Sequence, residues 1–206
     1  MLKLWGRANS INVHKVLWTL DELGVPYERI DAGLHFGVVN TPEYRKMNPN
    51  GRVPTISDDG FILWESNAIV RYLAAKHGAG TLWPTDLKER GAVDRWMDWT
   101  TDFVQHAVGP VFLQLIRTPA EKRDANLIES HKQKASELFP ILDQALAGRD
   151  YVGGSKLTIG DIPIGVFTHR WLALPISRPN LPNVLAYYER LKQRPAYKNH
   201  IVKPLT

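Results

Sequence analysis

The chain has 206 residues, of which 44% are hydrophobic and 23% are charged, a composition typical of folded globular proteins and unlike that of disordered or fibrous ones. It contains no cysteine, which excludes disulfides, thiolate metal sites and any mechanism that needs a thiol of the protein. Its formal charge of +5 comes from interspersed basic and acidic residues, so nucleic acid is not an expected partner. No run approaches roughly 18 apolar residues and none reads as a signal peptide, so we expect a cytoplasmic protein without a membrane partner.

Up to about residue 78, short strands alternate with helices. A buried strand leads through a polar loop into a helix, whose apolar residues recur at helical spacing until Gly24 ends it. Asp58, Asp59 and Gly60 form a strong turn signal between the two arms of a hairpin. We predict strands at 2–5, 27–30, 55–56 and 61–63, and helices at about 13–23, 42–47 and 66–75.

The remainder of the chain has no alternating strand pattern and reads as helix. We predict helices at about 87–116, 120–147, 159–172 and 183–192. The stretch from Gly78 to Pro84 breaks the helical pattern between the two parts. The sequence therefore predicts an α/β domain at 1–78 followed by an all-helical domain at 87–206.

Four local motifs occur in an order that points to one family. They are Arg7 to Lys15, which includes Ser10 and Asn12; Asn48-Pro49-Asn50-Gly51-Arg52-Val53-Pro54; Glu65-Ser66-Asn67-Ala68-Ile69; and Leu157-Thr158-Ile159-Gly160-Asp161-Ile162. Together they resemble the cytosolic glutathione transferases, in particular bacterial members that use serine or asparagine. The absence of any tyrosine before Tyr27 disfavours the tyrosine type, and the absence of cysteine excludes the cysteine type.

The resemblance covers essentially the whole chain and implies a fold and a reaction. It implies a thioredoxin-like N-terminal domain with a mixed four-stranded sheet, which binds glutathione, and a helical C-terminal domain that forms the second-substrate site. It implies an enzyme that stabilises the glutathione thiolate for attack on an electrophilic, mostly apolar co-substrate. Glutathione is then a co-substrate, no cofactor is permanently bound, and the protein is expected to be a homodimer.

Ser10 and Asn12 are the predicted catalytic residues, because both lie at the start of a helix where a bound sulfur would meet hydrogen-bond donors and the helix dipole. Either side chain can donate to a thiolate, so no protein base is needed. The alternative is that both side chains only cap the helix.

The other predicted glutathione contacts come from the second and third motifs and from the helical domain. A cis Val53-Pro54 bond would aim the Val53 backbone at a peptide-like ligand. Ser66 would accept the γ-glutamyl carboxylate at a helix N-terminus and Glu65 would face the ammonium, although both residues could serve only the helix start. Arg52 is a candidate for the glycyl carboxylate or an ordinary surface arginine. Asp102 resembles by position an acidic residue that reaches across the dimer to the amino group of the ligand.

Phe103, His106 and Phe112 are candidates for the second-substrate pocket, although aromatic residues at this spacing can equally be core. The histidines show no metal-ligand spacing, so no metal is expected. Two functional alternatives stay open. One is a glutathione-dependent disulfide-bond reductase, isomerase or dehalogenase on the same fold. The other is a non-catalytic adaptor that retains the fold.

Overall fold

The computed structural model describes all residues from 1 to 206, which divide into two compact units, Met1–Trp83 and Pro84–Thr206. The elements of the first unit are β1 (Leu2–Trp5), α1 (Ile11–Glu22), β2 (Tyr27–Ile30), α2 (Pro42–Met47), β3 (Thr55–Asp58), β4 (Phe61–Trp64) and α3 (Ser66–His77). The hairpin turn is one residue shorter than predicted, because Asp58 pairs with Phe61 as the last residue of β3. A short 3₁₀ turn, Leu34–Phe36, lies in the loop after β2.

The four strands form one mixed sheet in the order β2-β1-β3-β4. β1 runs parallel to β2 and antiparallel to β3, and β3 is antiparallel to β4, so β1 and β4 point the same way. The register aligns Ile30, Trp5, Thr55 and Trp64 across the sheet. We call this line of residues the end row, since β1, β2 and β4 end on it and β3 begins on it.

An apolar core fixes α1 and α3 against the sheet and against each other. Its buried members are Leu2, Leu4, Val13, Val16, Leu17, Leu20, Ile56, Ile69 and Leu73. Burying side chains of this kind contributes about 1.5 to 3 kcal/mol each before the cost of conformational entropy. Because α1 follows β1 and α3 follows β4, the first turns of both helices lie beside the end row. The fold is thioredoxin-like, as the family resemblance implied.

The second unit contains helices and no strand. Its α-helices are α4 (Leu87–Trp99), α5 (Gln105–Phe112), α6 (Ala125–Ala145), α7 (Asp161–Ala173), α8 (Pro182–Lys192) and α9 (Pro195–His200). α6 begins five residues later than predicted, because the Asp124 side chain accepts a hydrogen bond from the Leu127 N–H and caps the helix there. Helix α9, which has six residues and starts at Pro195, was not predicted from the sequence. None of the helices is long and apolar enough to cross a membrane.

The helix predicted at 87–116 is continuous in outline but contains two π-helical stretches, Thr100–Val104 and Leu113–Arg117. At the first stretch, the hydroxyls of Thr100 and Thr101 donate to the carbonyl oxygens four residues earlier, at 2.7 and 3.1 Å. Hydroxyls that bond in this way locally perturb a helix. Such π-helical insertions are frequent at functional sites, and this one contains Asp102 and Phe103.

The fourth motif forms a buried hydrogen-bond network at the start of α7. The Asp161 carboxylate is fully buried and accepts hydrogen bonds from the N–H groups of Val152 and Thr158 and from the hydroxyls of Thr158 and Tyr187. Burial raises the pKa of Asp161 to about 6, although these hydrogen bonds act in the opposite direction. Asp161 stands in the acidic position of a capping box, but the Thr158 hydroxyl donates to its carboxylate and accepts from no backbone N–H of the helix.

Candidate active site

The end row brings the first three motifs together on the first unit. β1 leads into the segment of Ser10, β3 follows the Val53-Pro54 bond, and β4 leads directly into Glu65 and Ser66. Neighbouring strands of a sheet lie about 4.8 Å apart, so the row extends about 10 Å from β1 to β4. The residues predicted from three separate sequence segments thus lie around the end row of the sheet.

The hydroxyl of Ser10 is not used by the helix that it precedes. Ser10 is the N-cap of α1, with φ −88° and ψ 124°, and its carbonyl oxygen accepts from the His14 N–H at 2.8 Å. Its side chain is only 6% exposed and makes no capping hydrogen bond. The Ser10 side chain therefore does not cap α1, which was the alternative to a role at the sulfur. The hydroxyl is left as a donor beside the first turn of the helix.

Asn12 lies in that first turn and differs from Ser10 in what it offers. Its side-chain carbonyl oxygen is buried without a hydrogen-bond partner within the chain, an unusual state for a buried polar atom. An oxygen of this kind can only accept, whereas a thiolate needs donors. Any contribution of Asn12 to thiolate stabilisation must therefore come from its amide nitrogen.

The loop that carries Val53 is held by side chains on either side of it. The carbonyl oxygen of Arg52 accepts from the Tyr44 hydroxyl at 2.7 Å and from the Asn48 amide at 2.9 Å. The same two groups contact the Thr55 hydroxyl at 2.8 and 3.0 Å. The Val53-Pro54 peptide bond between these anchors is cis, as predicted.

The hydrogen bonds that hold this loop do not involve Val53. Neither its N–H nor its carbonyl oxygen takes part in a hydrogen bond within the chain, so both remain for an extended peptide to pair with. The side chain of Arg52 is exposed, and its guanidinium makes no ion pair or hydrogen bond within the chain. A carboxylate ligand would meet no competitor there.

Glu65 joins β4 to α3 in a conformation that most residues avoid. Its φ is +71° and its ψ 114°, and it occupies the N-cap of α3 without a side-chain capping bond. A residue with a Cβ in such a region costs about 1 to 3 kcal/mol. The carboxylate is exposed, while the neighbouring Ser66 is buried at the first position of the helix. Strained backbone conformations of this kind cluster at functional sites.

One charged residue beside these groups, Lys15, was not predicted from the sequence. It lies in α1, is 1% exposed, and its ammonium nitrogen is 3.4 Å from the Ser66 hydroxyl oxygen. Helix α1 is buried over most of its surface, from Val13 to Leu20. A lysine within such an apolar run was the available signal, since lysine is almost never fully buried without a partner.

The predicted residues of the second unit fall into two groups. Asp102, Phe103 and His106 are exposed, Phe103 to 53% of its surface. Phe112 is 3% exposed, and its ring lies 3.9 Å from the guanidinium carbon of Arg170 and 4.9 Å from that of Arg117. The prediction that Phe112 lines a pocket is not supported, because the ring is already covered in the core of this unit. No group of three or more His, Asp or Glu side chains could hold a metal ion.

Comparison with known proteins places this site in a family. The family model described as "Glutathione S-transferase, N-terminal domain" matches residues 1–75, and that described as "Glutathione S-transferase, C-terminal domain" matches residues 104–195. The chain is 40% identical over 208 residues to glutathione S-transferase GstB of Escherichia coli strain K12, with 100% of both chains covered. It is 28% identical to the probable glutathione S-transferase GSTF1 of rice, over 96% of this chain and 94% of that protein.

A similar structure has been solved with a ligand. The theta class glutathione S-transferase from the citrus canker pathogen Xanthomonas axonopodis pv. citri, with glutathione bound, matches with a TM-score of 0.96 and 45% identity. The match covers 100% of this chain and 99% of that one.

The strain at Glu65 can be measured by comparing two substitutions. Glu65→Gly and Glu65→Ala both remove the carboxylate, but only glycine adopts φ +71° without strain. We expect Glu65→Gly to be more stable than Glu65→Ala by about 1 kcal/mol in urea unfolding, after allowing for the greater entropy of glycine in the unfolded chain. Equal stabilities, or a more stable alanine variant, would show that Glu65 is unstrained.

Proposed function

The chain belongs to the glutathione S-transferase family and is an enzyme of it, and on this basis we propose that Ser10 activates glutathione bound along the end row. In this mechanism the Ser10 hydroxyl donates a hydrogen bond to the glutathione sulfur, favouring the thiolate. The thiolate then attacks an electrophilic, mostly apolar co-substrate. The observation that carries the proposal is that the hydroxyl lies almost buried at the N-cap of α1 and makes no capping bond.

The magnitudes are sufficient for this role. A free thiol with a pKa near 8.5 is only about 3% ionised at pH 7. A hydrogen bond to a charged group contributes about 1.5 to 3 kcal/mol, and one pKa unit corresponds to 1.36 kcal/mol. Ser10 can therefore lower the thiol pKa by about one to two units, and the N-terminal dipole of α1 acts in the same direction.

The proposed contacts of glutathione follow the end row. The cysteinyl residue pairs with the free backbone groups of Val53, as an added strand would. The γ-glutamyl carboxylate lies at Ser66 and the first N–H groups of α3, and the ammonium faces Glu65. The glycyl carboxylate binds Arg52, whose guanidinium has no partner in the chain. The Val53 backbone, the Glu65 carboxylate and the Arg52 guanidinium make no hydrogen bond within the chain, which supports the assignment.

We further propose that the enzyme is a cytoplasmic homodimer whose helical domain supplies the second-substrate site through Phe103 and His106. In the dimer, Asp102 would contact the amino group of the glutathione held by the partner. The edge strand β4 exposes Phe61 and Trp64, which supports an association surface on the first unit.

Sedimentation of the purified protein should give about twice the chain mass of 23.4 kDa, and a monomer at micromolar concentration would contradict the dimer.

The alternative reactions use the same thiolate and differ only in the second substrate. A disulfide-bond reductase resolves a mixed disulfide, whereas a conjugating transferase forms a thioether. Turnover of a chlorinated arene and of hydroxyethyl disulfide under the same conditions separates the two. Faster turnover of the disulfide would favour the reductase over the transferase.

The central mechanism is tested by Ser10→Ala, with Asn12→Ala alongside it. We expect Ser10→Ala to raise the apparent pKa of bound glutathione by about one to two units and to lower kcat/KM at neutral pH by about 10- to 100-fold. Glutathione affinity should be largely retained, because the thiol is one of several contacts. The measurement is thiolate absorbance of the complex as a function of pH, together with turnover. Unchanged ionisation in Ser10→Ala would remove the mechanism, and a shift in Asn12→Ala alone would assign the role to Asn12.

Thr41→Ala is the matched control. Thr41 is also a helix N-cap in this unit, but its hydroxyl does accept from the Tyr44 N–H, at 3.2 Å. Its removal should cost about 1 kcal/mol of stability and leave thiolate ionisation unchanged. Ser10→Ala should instead change thiolate ionisation and cost little stability.

A further inference from the structure

A buried ammonium group lies behind the part of the site where the γ-glutamyl carboxylate is proposed to bind. Lys15 is 1% exposed, on the side of α1 that packs against α3. Its nitrogen is within hydrogen-bond distance of the Ser66 hydroxyl, at 3.4 Å. Taking an ammonium out of water is costly, and most lysines remain at the surface. A stably buried lysine therefore calls for a role that an apolar side chain could not fill.

The chemistry of this contact sets the direction of the Ser66 hydroxyl. An ammonium group has three N–H donors and no acceptor, so in the contact with Lys15 the Ser66 oxygen must accept. The hydroxyl proton of Ser66 has no acceptor within the chain and is left to be donated elsewhere. Ser66 is the first residue of α3, where the backbone N–H groups are also unpaired. The hydroxyl and the helix N-terminus thus offer donors to the same incoming group.

The positive charge of Lys15 favours the same kind of ligand group as the orientation of the Ser66 hydroxyl does. The ammonium adds a full positive charge to the partial positive charge of the α3 N-terminus. Because Lys15 is screened from solvent, its field is weakened less by water and salt than that of a surface lysine. An anion at Ser66 is favoured by both, and a neutral group in the same place gains little.

We propose that Lys15 is a positioning residue for the glutathione α-carboxylate: it holds the Ser66 hydroxyl as a donor and supplies a buried positive charge beneath it. This inference rests on the proposed binding of the γ-glutamyl group at Ser66. It assigns Lys15 no part in the chemistry at the sulfur. The residue therefore affects which ligand binds, while Ser10 governs thiol ionisation.

The test compares two ligands that differ in one group. Glutathione and its analogue 4-aminobutyryl-cysteinyl-glycine share the thiol, the amine and the glycyl carboxylate, but the analogue lacks the γ-glutamyl carboxylate. Dissociation constants of both are measured by calorimetry for wild type, Lys15→Met and Lys15→Arg. We expect Lys15→Met to weaken glutathione binding by about tenfold or more and to leave analogue binding nearly unchanged. Lys15→Arg, which keeps the charge, should retain part of the preference for glutathione.

Two further variants sharpen the result. Ser66→Ala should weaken glutathione binding strongly in wild type but only slightly in Lys15→Met, since the two residues act through one contact. Lys3→Met removes the same charge from a half-exposed side chain on β1 and should leave the preference intact. If circular dichroism shows that Lys15→Met is unfolded, Lys15→Leu, which is also neutral and has no donor, carries the same comparison.

The outcomes separate this inference from the mechanism at Ser10. If the neutral variant loses affinity for both ligands equally, or keeps the wild-type preference for glutathione, the proposed role of Lys15 is wrong. Thiolate ionisation of bound glutathione should be unaffected by Lys15→Met, because it depends on Ser10. A wild-type enzyme that binds both ligands equally would instead contradict the placement of the carboxylate at Ser66, and the role of Lys15 with it.

Discussion

The alignment of Ile30, Trp5, Thr55 and Trp64 across the sheet is the constraint on which the site depends. It places a helix N-terminus at each side and the Val53 loop between them. A shift of one residue in either antiparallel pair would turn alternate side chains to the opposite face and separate these elements. The buried core under α1 and α3 makes such a shift costly, so apolar packing maintains the spacing of the polar site.

The groups that face this edge share a property that favours binding. The Ser10 hydroxyl, the Val53 backbone and the Ser66 hydroxyl proton are held by the fold but bonded to nothing in it. Donors fixed in place before the ligand arrives need no reorganisation when charge develops on it, which is the main source of electrostatic stabilisation in enzymes. The strained backbone of Glu65 holds an exposed carboxylate at the same end of the sheet.

Most of the helices and strands of the first unit could be predicted, because the sequence signals that determine them are local. The Asp59-Gly60 turn, the strand-to-helix change at Ser66 and the proline at position 54 each indicate structure within a few residues. The buried contact of Lys15 depends on how α1 packs against α3, and the burial of Phe112 depends on Arg170, which is distant in sequence. Whether the Ser10 hydroxyl caps its helix is a matter of a single side-chain rotation, which residue type alone does not determine. The sequence therefore predicts the helices and strands better than the contacts between their side chains.

The claim that the Ser10 hydroxyl serves the ligand and not the helix is tested most directly by a crystal structure of the enzyme with glutathione. The account predicts the glutathione sulfur at hydrogen-bond distance from the Ser10 oxygen, beside the first turn of α1, with the cysteinyl backbone paired to Val53. A sulfur bound elsewhere, or a Ser10 hydroxyl turned back to cap the helix while glutathione occupies the site, would contradict it.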